Sequence, residues 1–185
     1  FVDILACGLL NATAKDGIYI NQVDGLLNLG SINATHGNIW LKALKSILDN
    51  DNTDAVNIKG TDITLQSITG SIGTADNFLD IIAAGVLNAA AKDGIYIYEV
   101  EGTMDVDTVT SAEGDVYLKT AGSILDSNAN DEANVIGKNI TLVAITGGIG
   151  AIDNFLDIIA AGVLNATAKD GIYIYEVEGT MDVDT

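Results

Sequence analysis

Proline and arginine are absent from these 185 residues, and cysteine, histidine and tryptophan occur once each. Without proline, nothing interrupts a ladder of backbone N–H donors, so any stretch is free to serve as a central strand. One cysteine builds neither a disulfide framework nor a metal cluster. Eight lysines face 26 acidic residues, for a formal charge of −18. Phosphate recognition needs basic patches, so nucleic acid and anionic membrane surfaces are excluded as partners. No apolar run approaches the ~18–20 residues of a spanning helix. The longest, Ile81 to Leu87, contains Gly85, and no membrane insertion is expected. The chain is nevertheless 48% hydrophobic with a mean hydropathy of +0.32, enough to bury a large core.

A long repeat accounts for most of the sequence. Phe78–Thr108 recurs as Phe155–Thr185 with one change, Ala90 to Thr167, at an offset of 77 residues. Shifting back by 77 lays Asp80 on Asp3, Lys92 on Lys15 and Gly94 on Gly17, and onward Gly114 on Gly37 and Gly150 on Gly73. One continuous unit over 1–185 is expected, with copies of roughly 1–76, 77–153 and a truncated 154–185. The missing initial Met and the stop partway through a unit read as a piece of something longer.

The repeat subdivides into short alternating runs. Leu79-Asp-Ile-Ile, Ile95-Tyr-Ile-Tyr, Val116-Tyr-Leu-Lys and Ile140-Thr-Leu-Val each place aliphatic residues at every second position, as a half-buried strand does. Leu79, Ile81, Ile95, Ile97, Val116, Leu118, Ile140 and Leu142 are expected inside, and Asp80, Tyr96, Tyr117 and Thr141 outside. Second strands are expected at Met104–Thr110 and at Ser123–Leu125. The runs start too far apart for tight hairpins. Frequent Gly, Asn, Thr and β-branched residues argue against helices. The fold class expected is all-β: a right-handed parallel β-helix, or β-solenoid, with about four coils per 77-residue repeat and a continuous aliphatic core.

Segments such as Gly114–Asp126 (GDVYLKTAGSILD), Asn139–Gly150 (NITLVAITGGIG) and Asp153–Ile158 (DNFLDI) resemble the degenerate repeats of filamentous-haemagglutinin-like bacterial exoproteins. The resemblance implies a parallel β-helix, export to the cell surface or beyond, and a role in adhesion. The secretion and receptor-binding segments of that family have no counterpart in this sequence.

Candidate sites recur with the repeat. Asp49, Asp51 and Asp54, with Asp126, Asn128, Asn130 and Asp131 in the next copy, space oxygen ligands as a calcium loop does. The alternative is a solvated polar loop, and no other cofactor is expected. Gly147–Asp153 reads as a tight corner needing glycine torsions. Tyr19 and Trp40, then Tyr96 and Tyr117, with Tyr173 opening the next pair, form an outward aromatic ladder. Such a ladder stabilises a sheet, and it also suits a sugar ring or a neighbouring fibre. Cys7 aligns with Ala84 and Ala161, so a small buried position is expected. His36 aligns with Glu113 and is expected on a surface turn. Recurring features without a unique acid, base or nucleophile constellation suggest no enzyme. The expected role is an extracellular structural or adhesive stalk whose partners are further copies of itself or glycans on host or neighbouring cells. Alternatives are a glycan- or calcium-assisted surface-binding module and, less favoured, a polysaccharide-active β-helix enzyme.

Overall fold

The computed structural model describes residues 1–50, 53–128, 130–180 and the backbone of 182–183. It is an all-β solenoid of about eight turns, with no helix among the described residues. Two ten-stranded sheets lie on opposite sides of one core, and every pairing between their strands is parallel. The first sheet runs β1 (Val2–Ile4), β3 (Ile18–Gln22), β5 (Ile39–Ala43), β8 (Ile63–Ser67), β10 (Val86–Ala91), β12 (Met104–Ser111), β15 (Val135–Gly137), β17 (Leu156–Ala160) and β19 (Ile174–Glu176). The second runs β2 (Leu9–Ala14), β4 (Leu27–Ala34), β7 (Ile58–Gly60), β9 (Leu79–Ala83), β11 (Ile95–Glu99), β13 (Val116–Thr120), β16 (Ile140–Ala144), β18 (Val163–Ala168) and β20 (Asp182–Val183). β6 (Ile47–Asp49) joins β7 in pairing with β4, and β14 (Ile124–Asp126) joins β15 in pairing with β12.

The alternation in sequence sets these rows. All eight residues expected inside are buried, and they sit in a core built almost wholly of Leu, Ile, Val and Ala. The second strands at Met104 and Ser123 appear as β12 and β14. Inner positions at strand ends turn polar where the chain leaves the sheet. There Ser67 Oγ donates to Lys45 O and Thr120 Oγ1 to Gly102 O, each at 2.9 Å. Corner carbonyls of one turn are thus satisfied by the next.

The number of coils differs from expectation. One circuit takes from 18 residues (Val2 to Ile20) to 26 (Val109 to Val135). The four runs of the middle copy, β9, β11, β13 and β16, all lie in the second sheet, three circuits apart from first to last. The following repeat begins only half a circuit after β16, with β17 in the first sheet. A 77-residue unit therefore makes three and a half turns, not four, and successive copies face opposite ways. At ~4.8 Å per row, one repeat advances about 17 Å along the axis.

Two excursions leave the sheet in each copy. β6 and β7 together pair with the single strand β4, so the described residues between them, 50 and 53–57, lie outside the pairing. In the next row Ile72 bridges Ile95 while Leu79 pairs with Ile97, so residues 73–78 are squeezed out as a turn closed by Thr74 and Asn77. Gly73 and Gly150 open this turn with φ of 64°, as the glycine-rich corner predicted. A Cβ on Gly150 would stand 2.0 Å from Tyr173 O. Gly150→Ala is therefore expected to destabilise by about 1–3 kcal/mol, read as loss of amide-exchange protection confined to residues 149–156 and 172–174.

Cys7 is exposed, in a bend between β1 and β2, and its counterparts Ala84 and Ala161 are exposed too. The position is an exposed bend between strands, not a buried one. His36 is exposed on a bend, as expected. Asp80 corrects another expectation: it lies on the outer face of β9, yet only 2% of it is exposed.

Candidate functional site

Burial of Asp80 points to where the outer face is built up. On each face, the two excursions of one copy lie beside the aromatic residues of the next. The excursions are held by an Asp–Asn bracket. Asp49 ends β6 and Asn57 precedes β7, and Asn57 Nδ2 donates to Asp49 Oδ1 at 2.6 Å. Asn57 Oδ1 accepts from Asp80 N at 2.9 Å. One repeat later, Asn134 Nδ2 donates to Asp126 Oδ1 at 2.8 Å, and Asn134 Oδ1 accepts from Asp157 N at 3.0 Å. Asn154 then ties the turn to the loop, donating to Asp126 O and Asn128 O at 3.2 and 3.3 Å.

This bracket bears on the expected calcium ligands. Asp49 and Asp126 are buried and serve Asn57 and Asn134. Asn128 Oδ1 accepts from Asn130 N, and Asn130 Oδ1 from Glu132 N, a chain of Asx turns along the loop. Asn128 Nδ2 donates to Asp107 Oδ1 at 3.0 Å. Asp54 and Asp131 lie on the exposed part of the loop. Asp51 falls outside the described residues. Among those described, no three His, Cys, Asp or Glu side chains converge at a distance that holds a metal ion. One oxygen, Asp126 Oδ2, is buried without a hydrogen-bond partner among them.

The aromatic ladder exists, with members the sequence reading did not name. Tyr19 faces Trp40 in neighbouring rows of the first sheet, and Tyr96 faces Tyr117 in the second. A phenylalanine from the row before joins each set. Phe1 packs edge-on against Trp40 (centroids 4.4 Å apart), Phe78 against Tyr117 (4.9 Å), and Phe155 lies 6.1 Å from Tyr173. Its signal was its constant place in the repeat, two residues before the outward Asp. The half-turn register puts the first and third sets on one face and the second on the other.

Beside this ladder runs a second outward column. In the middle copy it reads Asp80, Tyr98, Lys119 in successive rows. Lys119 Nζ lies 4.2 Å from the centroid of the Tyr98 ring. Burial, then the charges of Asp54 and Asp80, push the Tyr98 hydroxyl pKa upward. The first copy reads Asp3, Asn21, Lys42; here Asn21 Nδ2 donates to Asp3 Oδ1 at 2.8 Å, beside a shallow cleft of about 270 Å³ shared with Phe1 and Trp40. The third copy reads Asp157, Tyr175. There an open groove of about 490 Å³ is lined by Asn130, Asp131, Asp153, Asn154, Phe155, Asp157 and Tyr175, among others. Burial raises the Asp157 pKa, and repulsion from Asp126 and Asp131 raises it further.

The chemistry on offer is stacking, hydrogen bonding through carboxamides, and concentrated negative charge. It suits a cation or a flat, hydroxyl-bearing ring. Another buried acid lies on the inner side of β11, the strand that carries Tyr98. Glu99 continues the inward register of Ile95 and Ile97 and is fully buried, and burial lifts its pKa to about 8. No family model matches this chain, and neither a curated protein nor a solved structure matches it.

Proposed function

We propose that this chain is a stalk segment: a structural or adhesive rod within a large secreted or cell-surface protein, akin to the filamentous-haemagglutinin-like bacterial exoproteins. The observation that supports this most is the recurrence of the main surface features. The Asp–Asn bracket, the squeezed-out turn and the aromatic set return with each copy, half a turn on and about 17 Å further along. Function on such a surface is distributed along a length and not gathered at one point. A continuous core with no break between copies gives the stiffness that a spacer needs.

The outer face also favours a second reading, contact with surface glycans. Trp40 and Phe1 offer a stacking wall, with Asp3, Asn21 and Lys42 at its edge for hydroxyl groups. Both readings share a test. Small-angle scattering and negative-stain imaging of the purified chain are expected to show rigid rods of about 40 Å, eight rows at ~4.8 Å. Beads coated with the rod are expected to adhere to glycan-bearing surfaces, and Trp40→Ala to reduce the adhesion. Release of reducing ends from a glycan panel would replace both readings with a catalytic one.

A further inference from the structure

We propose that the outer face of the first sheet, between Trp40 and Thr108, carries a binding site for a neutral, flat sugar chain, centred on Ala90. This rests on the glycan-contact reading above and gives it a place and a ligand class. The site lies over β5, β8, β10 and β12, each of which has a paired neighbour on both sides. Trp40, Thr64, Asn88 and Thr108 follow one another in one outward column, and Gln66 and Ala90 stand side by side in the next. Two open dips, of about 220 and 320 Å³, share Gln66 and Ala90 and so form one shallow trough along the axis. Two residues set this trough apart from the rest of the rod. Ala90 is the one position at which Phe78–Thr108 and Phe155–Thr185 differ, and the other copies carry Thr13 and Thr167 there. Gln66 becomes Val143 one repeat later. The same two places thus hold a carboxamide beside an opening in one copy, and a valine beside a larger side chain in the next.

The chemistry of the walls names the guest. Trp40 is 37% exposed and offers a face for a ring to stack on. The side chains of Thr64, Gln66, Asn88 and Thr108 have no hydrogen-bond partner among the described residues, whereas Asn57, Asn128 and Asn134 are committed to the loops. Hydroxyls and carboxamides both donate and accept, as a row of sugar hydroxyls requires. Charge decides between classes of glycan. No residue of β8 or β10 is charged. Lys92, which borders the trough, is paired with Glu113 at 3.7 Å. A net charge of −18 repels an acidic polymer, and the floor has no carboxylate for a basic one. A neutral chain meets neither obstacle. The floor is a sheet face, so it suits a ribbon with equatorial hydroxyls, such as β-linked glucose.

Trp40 is the only tryptophan, so its emission reports on this place alone. The test is a fluorescence titration of the whole chain with cellotetraose, and with tetragalacturonic acid as the acidic control. A saturable change in the millimolar range is expected with the first and none with the second. Ala90→Thr and Gln66→Val each install what another copy carries at that place. Each is expected to weaken binding about three- to tenfold, the loss of one hydrogen bond or of the room for one, with the melting temperature unchanged. No saturable change with cellotetraose, an equal response to the acidic control, or full affinity in either variant would each overturn the proposal. Full affinity in both variants, with Trp40 still responding, would move the contact to the wall formed by Trp40 and Phe1. The glycan reading would then stand while the trough fell. Beads that fail to adhere as well would take both down, and rod dimensions measured by scattering would still decide the stalk reading separately.

Discussion

Asn134→Ala is expected to cost about 3–5 kcal/mol, the largest loss foreseen for a single polar side chain here. Asn134 is fully buried and stitches three successive rows together. Its Nδ2 donates to Asp126 Oδ1 at 2.8 Å, and to Val106 O and Asp107 O at 3.3 and 3.2 Å. Its Oδ1 accepts from Asp157 N at 3.0 Å. Truncation leaves a buried carboxylate holding only the Asn128 N–H, with Asp126 Oδ2 already unpartnered among the described residues. Orphaning a buried charge is dearer than losing a neutral hydrogen bond, and that sets the scale. Asn57→Ala removes the equivalent residue one copy earlier and is expected to cost a similar amount. Denaturant unfolding followed by amide exchange at Val106, Val109 and Asp157 checks both size and place. A loss under about 1 kcal/mol, or one spread evenly along the rod, would show that the bracket does not hold the loop.

Glu99→Gln is expected to stabilise the chain, by an amount that grows with pH. The Glu99 carboxyl is buried; Ala83 N donates to Oε2 at 2.8 Å, and Oε1 has no partner among the described residues. Burial, opposed by backbone N–H groups of Ala83 and Glu101 and aided by the Glu101 charge, raises its pKa from 4.5 to about 8. The folded state therefore holds this proton over a range where the unfolded chain has released it. Its contribution is fully present below pH 4.5, falls as pH climbs toward 8, and is lost above that. The first copy carries the remedy. Gln22 occupies the same place, its Oε1 accepting from Ala6 N and its Nε2 donating to Ala6 O, Asp24 O and Leu26 O. Melting curves of the two proteins are expected to coincide near pH 4 and to separate by on the order of 2–4 kcal/mol at pH 9. Parallel curves across that range would mean the Glu99 site is wetter than its burial implies.

The core was legible because strand alternation is a local signal. Leu79, Ile81, Val116 and Leu118 could be assigned inward from their neighbours alone, and all four are buried. Glu99, two residues past Ile97, obeys the same alternation, but its charge masks the inward position that the aliphatic residues reveal. What sequence spacing hid was the half turn. The gaps between runs in one sheet and the gap from β16 to β17 are of similar length, and only the paired rows show which of them crosses the core. Burial of Asp80 and Asp157 was hidden for a different reason. It depends on a loop from the previous turn folding over the strand, a contact 23 residues back along the chain. The loop's carboxamides looked like cation ligands because Asx turns and calcium loops draw on the same residues at the same spacing. In the folded chain Asn128 and Asn130 accept from backbone N–H groups, as Asx turns do.

A unit that closes on a half-integral number of windings has a consequence for any array made from it. Gaining or losing one 77-residue module by recombination would turn everything distal to it through half a revolution. Identical azimuth returns only after 154 residues, that is, after a pair of modules. A tether selected to show one side to a flat support would therefore lengthen in even steps. One selected to grip on both sides gains a contact with every module, alternately left and right.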